Sequence, residues 1–562
     1  MDLGGIILSC HVGIDVGGTY TDAVYLEQGQ IQRTAKVPTQ EENLVETIIN
    51  ALETLNLPDV RQVNQITVST TLVTNAILQK RLPPVNLFLF PGNGMSLSAL
   101  PWPVDYHVLS GEMDFRGREV RPSDPSEWQR LTWKECSESP ELVAVVGKFS
   151  HRNNLHETQL ADYLRKSYPK CQLALGHEWG QANFYRRSLT TYLNLGVTGR
   201  YQQFAQQLQT ALSGLKIQAP IAILKADGGI LPIGKLRPIE SIYSGPAASV
   251  LAALAQNETS ASTIVVDIGG TTTDLGLILS GTPLLSSRGA EIGPYSTLVH
   301  SLAVRSIPVG GDSVIEACGQ GFELKNYRLG PAYCLGGKAL TPTDAMRYLG
   351  LIDYGNRQLA EEALASLCPP DRRAPQYYQQ LAGDIIEAVV NRIAEAVDSL
   401  KREWQDEPAY KVWEVLHPHE AQTFNTLVSG GGAQGLTKAL QKRLGTPVLL
   451  GVYPEVSNAL GAAMARPTFD CTLHLDTYMK RYHVQETGEQ GKWTGSQRPY
   501  REVEDFLDQL VQKQAEQYGI QIHDIEKEPF DFFPIVQNYQ TVGQIIRGAA
   551  HLRPGVIGRV VK

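Results

Sequence analysis

The chain has 562 residues, a length that predicts about three or four domains with large buried cores. Its net charge of -8 and its pI near 5.9, without a long basic run, argue against a general nucleic-acid binder and favour small-molecule chemistry. Seven scattered cysteines without C-x-x-C spacing, the lack of a basic leader and the lack of an apolar run of roughly 18 to 20 residues predict a cytoplasmic protein without signal peptide or membrane span.

The first informative segment, G-I-D-V-G-G-T-Y-T-D, lies near the N-terminus. An apolar run brings Asp15 to the end of a predicted strand, and Gly17 and Gly18 turn the chain into a second strand. Paired glycines let backbone N–H groups approach an anion, and Thr19 and Thr21 add hydroxyl groups. The segment therefore predicts a phosphate-binding turn, and because a carboxylate repels phosphate, the aspartate is expected to act through Mg²⁺.

Strand-like runs then alternate with helical patterns, which is typical of α/β construction. The predicted strands cover residues 65–69, 85–90, 142–147, 221–225 and 263–267, and the clearest predicted helices cover residues 182–213 and 376–404. A further amphipathic helix is predicted near residues 501–518. In the helix at 376–404, apolar residues recur every three or four positions, so this helix is expected to be structural.

The segment S-T-T-L-V-T-N-A-I-L follows the first of these strands and opens an apolar helix. Thr70, Thr71 and Asn75 could orient a carbonyl or phosphoryl oxygen, or they could form the cap and first turn of the helix. The sequence leaves both interpretations open.

Histidines give little sign of a metal site, since neither H-x-x-x-H nor H-E-x-x-H occurs. The one cluster that we consider a candidate transition-metal site combines His107, Glu112 and Asp114. Hydrolysis by a Ser-His-Asp triad without ATP lacks support, because no G-x-S-x-G segment is present.

Asp227 precedes Gly228 and Gly229 and is a secondary candidate for a base or a metal partner, although an Asp-Gly-Gly turn explains it almost as well. Ser244 is expected to cap a helix that begins at Pro246.

The phosphate segment returns as V-V-D-I-G-G-T-T-T-D. This copy contains Asp267, which is expected to bind Mg²⁺ jointly with the first aspartate, and the candidate phosphate-binding residues Gly269, Gly270, Thr271 and Thr272. A single copy would also fit a plain tight turn, but two aligned copies predict two related lobes that face one cleft.

A third glycine cluster completes the pattern. The run T-L-V-S-G-G-G-A is a predicted strand that ends in Gly430, Gly431 and Gly432 and leads into a helix, so a base and ribose could lie against bare backbone. A glycine-rich strand-to-helix turn is the alternative. Two phosphate turns followed by this cluster predict ATP as the cofactor.

This order of motifs resembles the actin, sugar kinase and Hsp70-type ATPase superfamily, which implies two actin-like, ribonuclease H-like α/β lobes around a central nucleotide cleft. After Pro467 the chain becomes more polar, and we assign this part to a small C-terminal α+β accessory domain. The predicted domains are an N-terminal lobe at residues 1–180, a core lobe at 181–467 and the accessory domain at 468–562.

Within that superfamily the chain resembles A-subunit-like members of the hydantoinase/oxoprolinase family. Its first hairpin is similar to the family's opening G-x-D-V-G-G-T-x-T-D, and residues 69–78 are similar to G-T-T-x-x-T-N-A-x-L, with serine in place of the first glycine. A further match is L-G-P-A-Y-C at 329–334. The chain departs from the family at 310–313, where G-G-D-S stands in place of the usual G-G-G-S, and over the poorly matching last 90 or so residues.

The resemblance implies ATP-driven opening of a cyclic amide such as a hydantoin, 5-oxoproline or a lactam, usually together with a B-type subunit. Two other functions stay open: an acetone-carboxylase-like subunit that uses ATP, bicarbonate and a ketone, and an actin-like reactivating or scaffold ATPase without a small-molecule substrate. The T-T-x-x-T-N segment favours the small-molecule enzymes. The sequence also leaves open a homo-oligomer.

Overall fold

The computed structural model describes residues 10–131, 141–256, 262–319, 321–369, 373–405, 424–521 and 525–560. Within these ranges the chain has a mixed α/β fold, as predicted. The segment before Cys10, for which the sequence predicts no leader, lies outside the described residues. Described helices include two of 31 residues, yet in the described ranges none is both long and apolar enough to cross a membrane.

The strands up to residue 232 are β1 (Cys10–Val16), β2 (Tyr20–Glu27), β3 (Gln30–Pro38), β4 (Val63–Thr70), β5 (Asn86–Phe90), β6 (His107–Val108), β7 (Glu112–Met113), β8 (Glu119–Arg121), β9 (Leu142–Gly147), β10 (Gln172–Leu175), β11 (Ile221–Leu224) and β12 (Ile230–Pro232). The helices up to residue 256 are α1 (Leu44–Leu55), α2 (Leu72–Leu78), α3 (Pro125–Trp128), α4 (Leu155–Ser167), α5 (Phe184–Gly214) and α6 (Ser244–Gln256).

The strands of the next part are β13 (Thr263–Ile268), β14 (Thr273–Leu279), β15 (Thr282–Pro283), β16 (Glu291–Ile292), β17 (Tyr295–Ser296), β18 (Val304–Ile307), β19 (Ile315–Cys318), β20 (Gly321–Leu324), β21 (Asn425–Ser429) and β22 (Val448–Leu450). Its helices are α7 (Pro342–Tyr348), α8 (Arg357–Leu367), α9 (Pro375–Gln405), α10 (Ala433–Leu444) and α11 (Ser457–Met464).

The C-terminal part contains β23 (Phe469–Asp476), β24 (Arg481–Val484), β25 (Gln490–Lys492), α12 (Glu502–Tyr518), β26 (Glu526–Lys527), β27 (Asp531–Gln537) and β28 (Gln540–Leu552). Strands β25, β24, β23, β28 and β26 form one antiparallel sheet in that order, with β27 also paired to β28. The amphipathic helix α12 covers this sheet through Val503 and Leu507, which are fully buried.

The first large sheet has the strand order β12-β11-β4-β1-β2-β3. Strand β1 pairs in parallel with β4 and antiparallel with β2. Its apolar residues Val12, Ile14 and Val16 are completely buried and, together with residues of α1 and α5, form a core under the sheet. Because β11 and β12 join it, this sheet takes strands from both sides of residue 180, and the domain boundaries stay a prediction.

The second large sheet repeats this arrangement. Its order is β15-β14-β13-β21-β22, and β13 pairs in parallel with β21 and antiparallel with β14. The predicted structural helix, α9, packs beneath it through Ile385, Val389 and Ile393. A smaller sheet, β10-β9-β5-β6, has its own core.

Helices α6 and α11 lie between the two large sheets. A Cβ atom added at Gly13 of β1 would lie 1.9 Å from the carbonyl oxygen of Ala459, and one added at Gly461 would lie 1.9 Å from that of Ala248. Helix α11 therefore packs backbone to backbone against β1 on one side and against α6 on the other. Only glycine allows the backbones to approach this closely, because any larger side chain at Gly13 or Gly461 would overlap the neighbouring backbone.

Candidate functional site

The two predicted phosphate turns are closed by equivalent hydrogen bonds. The N–H of Gly17 donates to the carbonyl of Tyr20 at 3.1 Å, and the N–H of Gly269 donates to that of Thr272 at 2.9 Å. Gly18 is exposed, and an added Cβ there would meet nothing within 4 Å. In the second turn all four residues from 269 to 272 are partly accessible. Both turns therefore have backbone that solvent, and hence a ligand, can reach.

The threonines of the two turns differ in their surroundings. Thr19 is half-buried in the first turn, and Thr271 and Thr272 are half-buried in the second. Thr21 is completely buried, and its hydroxyl lies 2.9 Å from that of Thr39. Thr21 therefore supports the strand that leaves the turn, and the structure places its hydroxyl away from the open backbone.

Strand pairing places the same side chains around both predicted metal-binding aspartates. Each lies opposite a second aspartate on the antiparallel strand and beside a serine on the parallel strand: Asp15 with Asp22 and Ser69, and Asp267 with Asp274 and Ser429. The serines hydrogen-bond to their aspartates. The sequence repeat thus extends to a repeat in three dimensions.

Asn458 connects the two halves of this site. The side chain of this residue, near the start of α11, hydrogen-bonds to both Asp15 and Asp267. Ser249 of α6 lies 2.7 Å from Asp267 Oδ2 and 2.8 Å from Asn458 Oδ1. Because one amide reaches both carboxyl groups, the structure brings the two aspartates together.

Acidic groups dominate the electrostatics of the site. Burial, with further contributions from the charges of Asp22 and Asp267, raises the pKa of Asp15 to about 6, against hydrogen bonds that lower it. Burial, helped by the charge of Asp267, raises the pKa of Asp274 to about 7. Burial also raises the pKa of Asp22, although the Lys36 ammonium at 2.7 Å opposes this shift. A cation bound here would relieve the repulsion among the carboxylates.

Mg²⁺ fits these donors, because hard divalent cations prefer carboxylate oxygens. In the part of the chain that the structure describes, no group of three or more His, Cys, Asp or Glu residues is arranged to hold a metal ion. Mg²⁺ at Asp15 and Asp267 would therefore need water or phosphate oxygens as its other ligands, which is how Mg²⁺ is commonly bound.

The predicted substrate-orienting residues lie next to the first turn. Thr70 pairs in register with Val16, and the Ser244 hydroxyl binds the backbone of Thr70 at 3.0 and 3.2 Å. The hydroxyl of Thr71 donates to the carbonyl of Val16 at 3.4 Å and accepts from Asn75 Nδ2 at 3.3 Å. Thr71 occupies the N-cap position of α2 without making a capping hydrogen bond. The prediction of a Ser244 cap before Pro246 is wrong, since α6 begins at Ser244 itself.

The third glycine cluster lies beside the second turn. Gly430 has a φ of +89°, and a Cβ there would lie 2.5 Å from Asp267 Oδ1. The N–H of Gly432 donates to the carbonyl of Ile268 at 3.0 Å, and the Tyr354 hydroxyl donates to the carbonyl of Gly431 at 3.1 Å. The cluster thus continues the second turn as a glycine surface with a tyrosine at its edge.

Several residues of this site escape sequence reasoning: Lys36, Ser249, Asp312, Arg328 and Asn458. The sequence around Asn458 gives only a weak sign of a functional role. Asn458 is an amide residue near the start of S-N-A-L-G-A-A-M, a helix made mostly of small residues. Arg328 donates a hydrogen bond to Thr19 from a loop about 300 residues away, and its local sequence gives no hint of this contact.

Asp227 belongs to a different cavity, of about 70 Å³, which it shares with residues of the C-terminal part. Its Oδ2 accepts hydrogen bonds from Lys225 Nζ and Thr468 Oγ1, both at 2.8 Å, and its Oδ1 accepts one from the N–H of Gly229 at 2.8 Å. These contacts hold the Asp227 carboxyl in that cavity. The Asp-Gly-Gly turn accounts for its position.

A histidine in the same cavity allows a pH prediction. Hydrogen bonding to Asp470 raises the pKa of His300 to about 9, and Glu486 and Asp227 add to the shift. A group whose pKa is raised by folding stabilises the protein fully below its ordinary pKa of about 6.5 and loses that contribution as the pH rises through the folded value. We therefore expect thermal stability to fall between about pH 6.5 and pH 9, by no more than about 1 kcal/mol because the partly exposed ring is screened by water.

Melting curves of wild type and His300→Gln between pH 6 and 9.5 would measure this contribution. We expect the variant to lose part of the pH dependence, whereas His107→Gln, with its ring stacked on Phe88 in another part of the fold, should retain it. Identical pH slopes for wild type and His300→Gln would contradict the assignment.

The candidate transition-metal cluster does not assemble, so that hypothesis is wrong. The His107 ring stacks on Phe88 with centroids 5.0 Å apart, Glu112 accepts a hydrogen bond from Asn93 at 2.8 Å, and Asp114 pairs with Arg118 at 2.7 Å. Proximity in sequence was misleading, because the three side chains turn to different partners. The six cysteines in the described ranges are free thiols.

Two family models, which describe two regions of the same protein family, together match most of the chain. The hydantoinase/oxoprolinase N-terminal region matches residues 11–168, and the hydantoinase/oxoprolinase family matches residues 187–471. The first match contains the first glycine turn, and the second match contains the second turn and the glycine cluster at 430–432.

Relatives in sequence include the caprolactamase subunit alpha of Pseudomonas jessenii, 26% identical over 403 residues, which are 63% of this chain and 58% of that protein. The acetophenone carboxylase gamma subunit of Aromatoleum aromaticum is 23% identical over 406 residues, 63% of this chain and 55% of that protein. An uncharacterized protein of Methanocaldococcus jannaschii is 24% identical over 315 residues, 51% of this chain and 46% of that protein. The chain thus spans about half the length of these relatives.

Two solved structures share the fold. The nucleotide-free structure of acetone carboxylase superposes with a TM-score of 0.70 at 16% identity, over 98% of this chain and 88% of that one. The ATP-dependent caprolactamase of Pseudomonas jessenii superposes with a TM-score of 0.66 at 19% identity, over 96% of this chain and 87% of that one.

Proposed function

The chain belongs to the hydantoinase/oxoprolinase family, and from this premise we propose that it is the ATP-using subunit of an enzyme that activates a cyclic amide for ring opening. The substrate would be a hydantoin, 5-oxoproline or a lactam, and a B-type subunit would complete the reaction. The observation that carries the proposal is the convergence of Asp15 and Asp267 on Asn458, with a glycine turn beside each aspartate.

In this proposal the backbone N–H groups of the two turns orient the phosphates of ATP. Asp15 and Asp267 would hold Mg²⁺, which would neutralise the charge that develops on the phosphates. Asn458 bonds to both carboxyl groups and Ser249 to that of Asp267, so the carboxyl groups would be positioned before the nucleotide binds. The glycine surface at 430–432 would accommodate the adenosine, with Tyr354 at its edge.

A cyclic amide needs activation because resonance strengthens its C–N bond and weakens the carbonyl as an electrophile. Attack of the amide oxygen on the terminal phosphorus would break the bond to ADP and leave a phosphorylated imidate. Water would then add to the ring carbon, and the C–N bond would open as the nitrogen takes up a proton, which leaves an acyl phosphate. A second water would hydrolyse the acyl phosphate to the carboxylate and inorganic phosphate. Thr70, Thr71 and Asn75, beside the first turn, would orient the amide oxygen for the first step.

Subunit composition of the relatives supports a partner. The caprolactamase chain is a subunit alpha and the acetophenone carboxylase chain is a subunit gamma. Hydrolysis of the activated amide would take place with such a partner.

Carboxylation is a second candidate function, because an acetophenone carboxylase subunit matches the sequence and an acetone carboxylase shares the fold. That reaction would use ATP at the same turns but would need bicarbonate and a ketone. The two functions differ in the second substrate and can be separated by assay.

We expect ATP hydrolysis by the purified chain, with any copurifying subunit, to rise several-fold on addition of a cyclic amide. The assay compares hydantoin, 5-oxoproline, a lactam and a ketone with bicarbonate, and quantifies ADP and ring-opened product. Stimulation by the ketone and bicarbonate alone would favour the carboxylase. No response to any of these substrates would contradict both enzyme functions and favour an ATPase that acts on a protein client.

A further inference from the structure

Arg328, which lies far along the chain, contacts the first glycine turn. Arg328 follows β20, and its Nη1 donates a hydrogen bond to the hydroxyl of Thr19. The same nitrogen lies 3.9 Å from Asp312 Oδ2 and would lie 3.7 Å from a Cβ atom added at Gly270 of the second turn. The guanidinium therefore lies between the two glycine turns.

Asp312 is fixed on the second turn by its backbone. Its N–H donates to the carbonyl of Gly270 at 2.7 Å, and the N–H of Gly311 donates to the carbonyl of Gly269 at 2.9 Å. A distance of 3.9 Å to the guanidinium is too long for a hydrogen bond. Asp312 thus attracts Arg328 electrostatically without accepting a hydrogen bond from it. The guanidinium N–H groups of Arg328 can therefore bind another acceptor.

A second cation near the turns, Lys36, is already engaged. Lys36 lies 2.7 Å from Asp22 Oδ1 and donates to the carbonyl of Glu455 at 3.2 Å. Arg328, by contrast, makes a single hydrogen bond to the described residues, and its acceptor is a neutral hydroxyl. Since a guanidinium has five N–H donors in a geometry that matches phosphate, most of its binding capacity is unused.

We propose that Arg328 binds the terminal phosphate of the nucleotide between the two turns and that Asp312 positions its guanidinium for this contact. The inference rests on the proposed function, because it requires ATP at the turns. Arg328 would be a catalytic residue, since it would touch the phosphoryl group that is transferred, and Asp312 would be a positioning residue.

A purely structural contact is the alternative, in which Arg328 only ties the second half of the molecule to Thr19. The two roles differ in what the arginine recognises. A phosphate-binding arginine distinguishes ATP from ADP, whereas a structural contact affects both nucleotides equally and lowers stability.

The test measures calorimetric binding of ADP and of a non-hydrolysable ATP analogue to the full chain in the presence of Mg²⁺. We expect Arg328→Met to weaken binding of the ATP analogue about 10-fold or more and binding of ADP clearly less, because a charge-assisted hydrogen bond to the terminal phosphate is lost. Arg328→Lys should retain part of the affinity, and Asp312→Gly should lose part of it. Arg305→Met, with a guanidinium that pairs with Glu403 at 2.6 Å, is the matched control and should bind both nucleotides like wild type.

Equal losses for the two nucleotides, or unchanged affinities together with a lower melting temperature, would overturn the inference while leaving the proposed function intact. If the wild type bound neither nucleotide, the proposed function would fail and the inference with it. Selective loss of the ATP analogue at an unchanged melting temperature is the supporting result.

Discussion

Replacing Asp15 or Asp267 by asparagine is expected to lower ATP turnover by a factor of at least about 10², because either change removes a carboxylate that would position Mg²⁺ against the transferred phosphate. The structure adds a second expectation. Burial raises the pKa of both carboxyl groups, which means that folding disfavours their charged forms. A neutral amide at either position should therefore not lower the melting temperature.

Steady-state ATPase rates at saturating Mg²⁺, measured together with thermal melting, test both expectations. Asp162→Asn is a suitable control, since Asp162 is an exposed residue that pairs with Arg165 on the surface of α4. Wild-type turnover in either variant would eliminate the proposed metal-binding role. A lost activity accompanied by a large loss of stability would show that the aspartate is needed for folding instead.

Gly461→Ala is expected to cause a large loss of stability. The new Cβ would lie 1.9 Å from the carbonyl oxygen of Ala248, and the backbones of α11 and α6 would have to separate. Overpacking of this kind costs about 3 kcal/mol or more, since neither helix can yield by rotating a side chain. Displacement of α11 would also move Asn458 from the two aspartates that it bridges, so nucleotide binding should weaken too.

Gly199→Ala is the matched control. Gly199 lies exposed within α5, and an added Cβ meets nothing within 4 Å. Because alanine favours a helix over glycine by roughly 1 kcal/mol, this variant should melt at the same temperature as wild type or higher. The comparison needs melting temperatures and soluble yields. If both alanine variants were equally stable, α11 and α6 would be farther apart than the structure places them.

Much of the fold could be predicted from local patterns. The strand predicted at residues 142–147 is β9, and the helix predicted at 501–518 is α12, shorter by a single residue. Strand β9 is a continuous apolar run that is buried at every position, and α12 has apolar residues at helical spacing that pack against the C-terminal sheet. The two glycine turns were also recognisable, because the turn and the strand before it lie within ten residues.

The candidate site was harder to predict where it depends on distant parts of the chain. Asn458 lies more than 400 residues from Asp15, and Arg328 reaches Thr19 from a loop without a recognisable motif. Such contacts follow from how the sheets pack, and this information is not in any local segment. The sequence could identify the aspartates but not the groups that hold them together.

Local similarity has different outcomes at two places. Whether Asp227 acts as a base or a metal partner stays a prediction, and its carboxyl accepts hydrogen bonds from Lys225 and Thr468. His107, Glu112 and Asp114 are close in sequence, yet their side chains diverge because each finds a nearer partner. In this cluster the residue types and the spacing suit a metal site, but the side chains point to different partners.

The tight seating of α11 restricts how the two halves of this protein can move. With no space between its backbone and those of β1 and α6, the helix cannot slide along either neighbour. Asn458, near the start of this helix, bonds to one carboxyl group of each large sheet, so any change that displaces the helix would disturb both aspartates together.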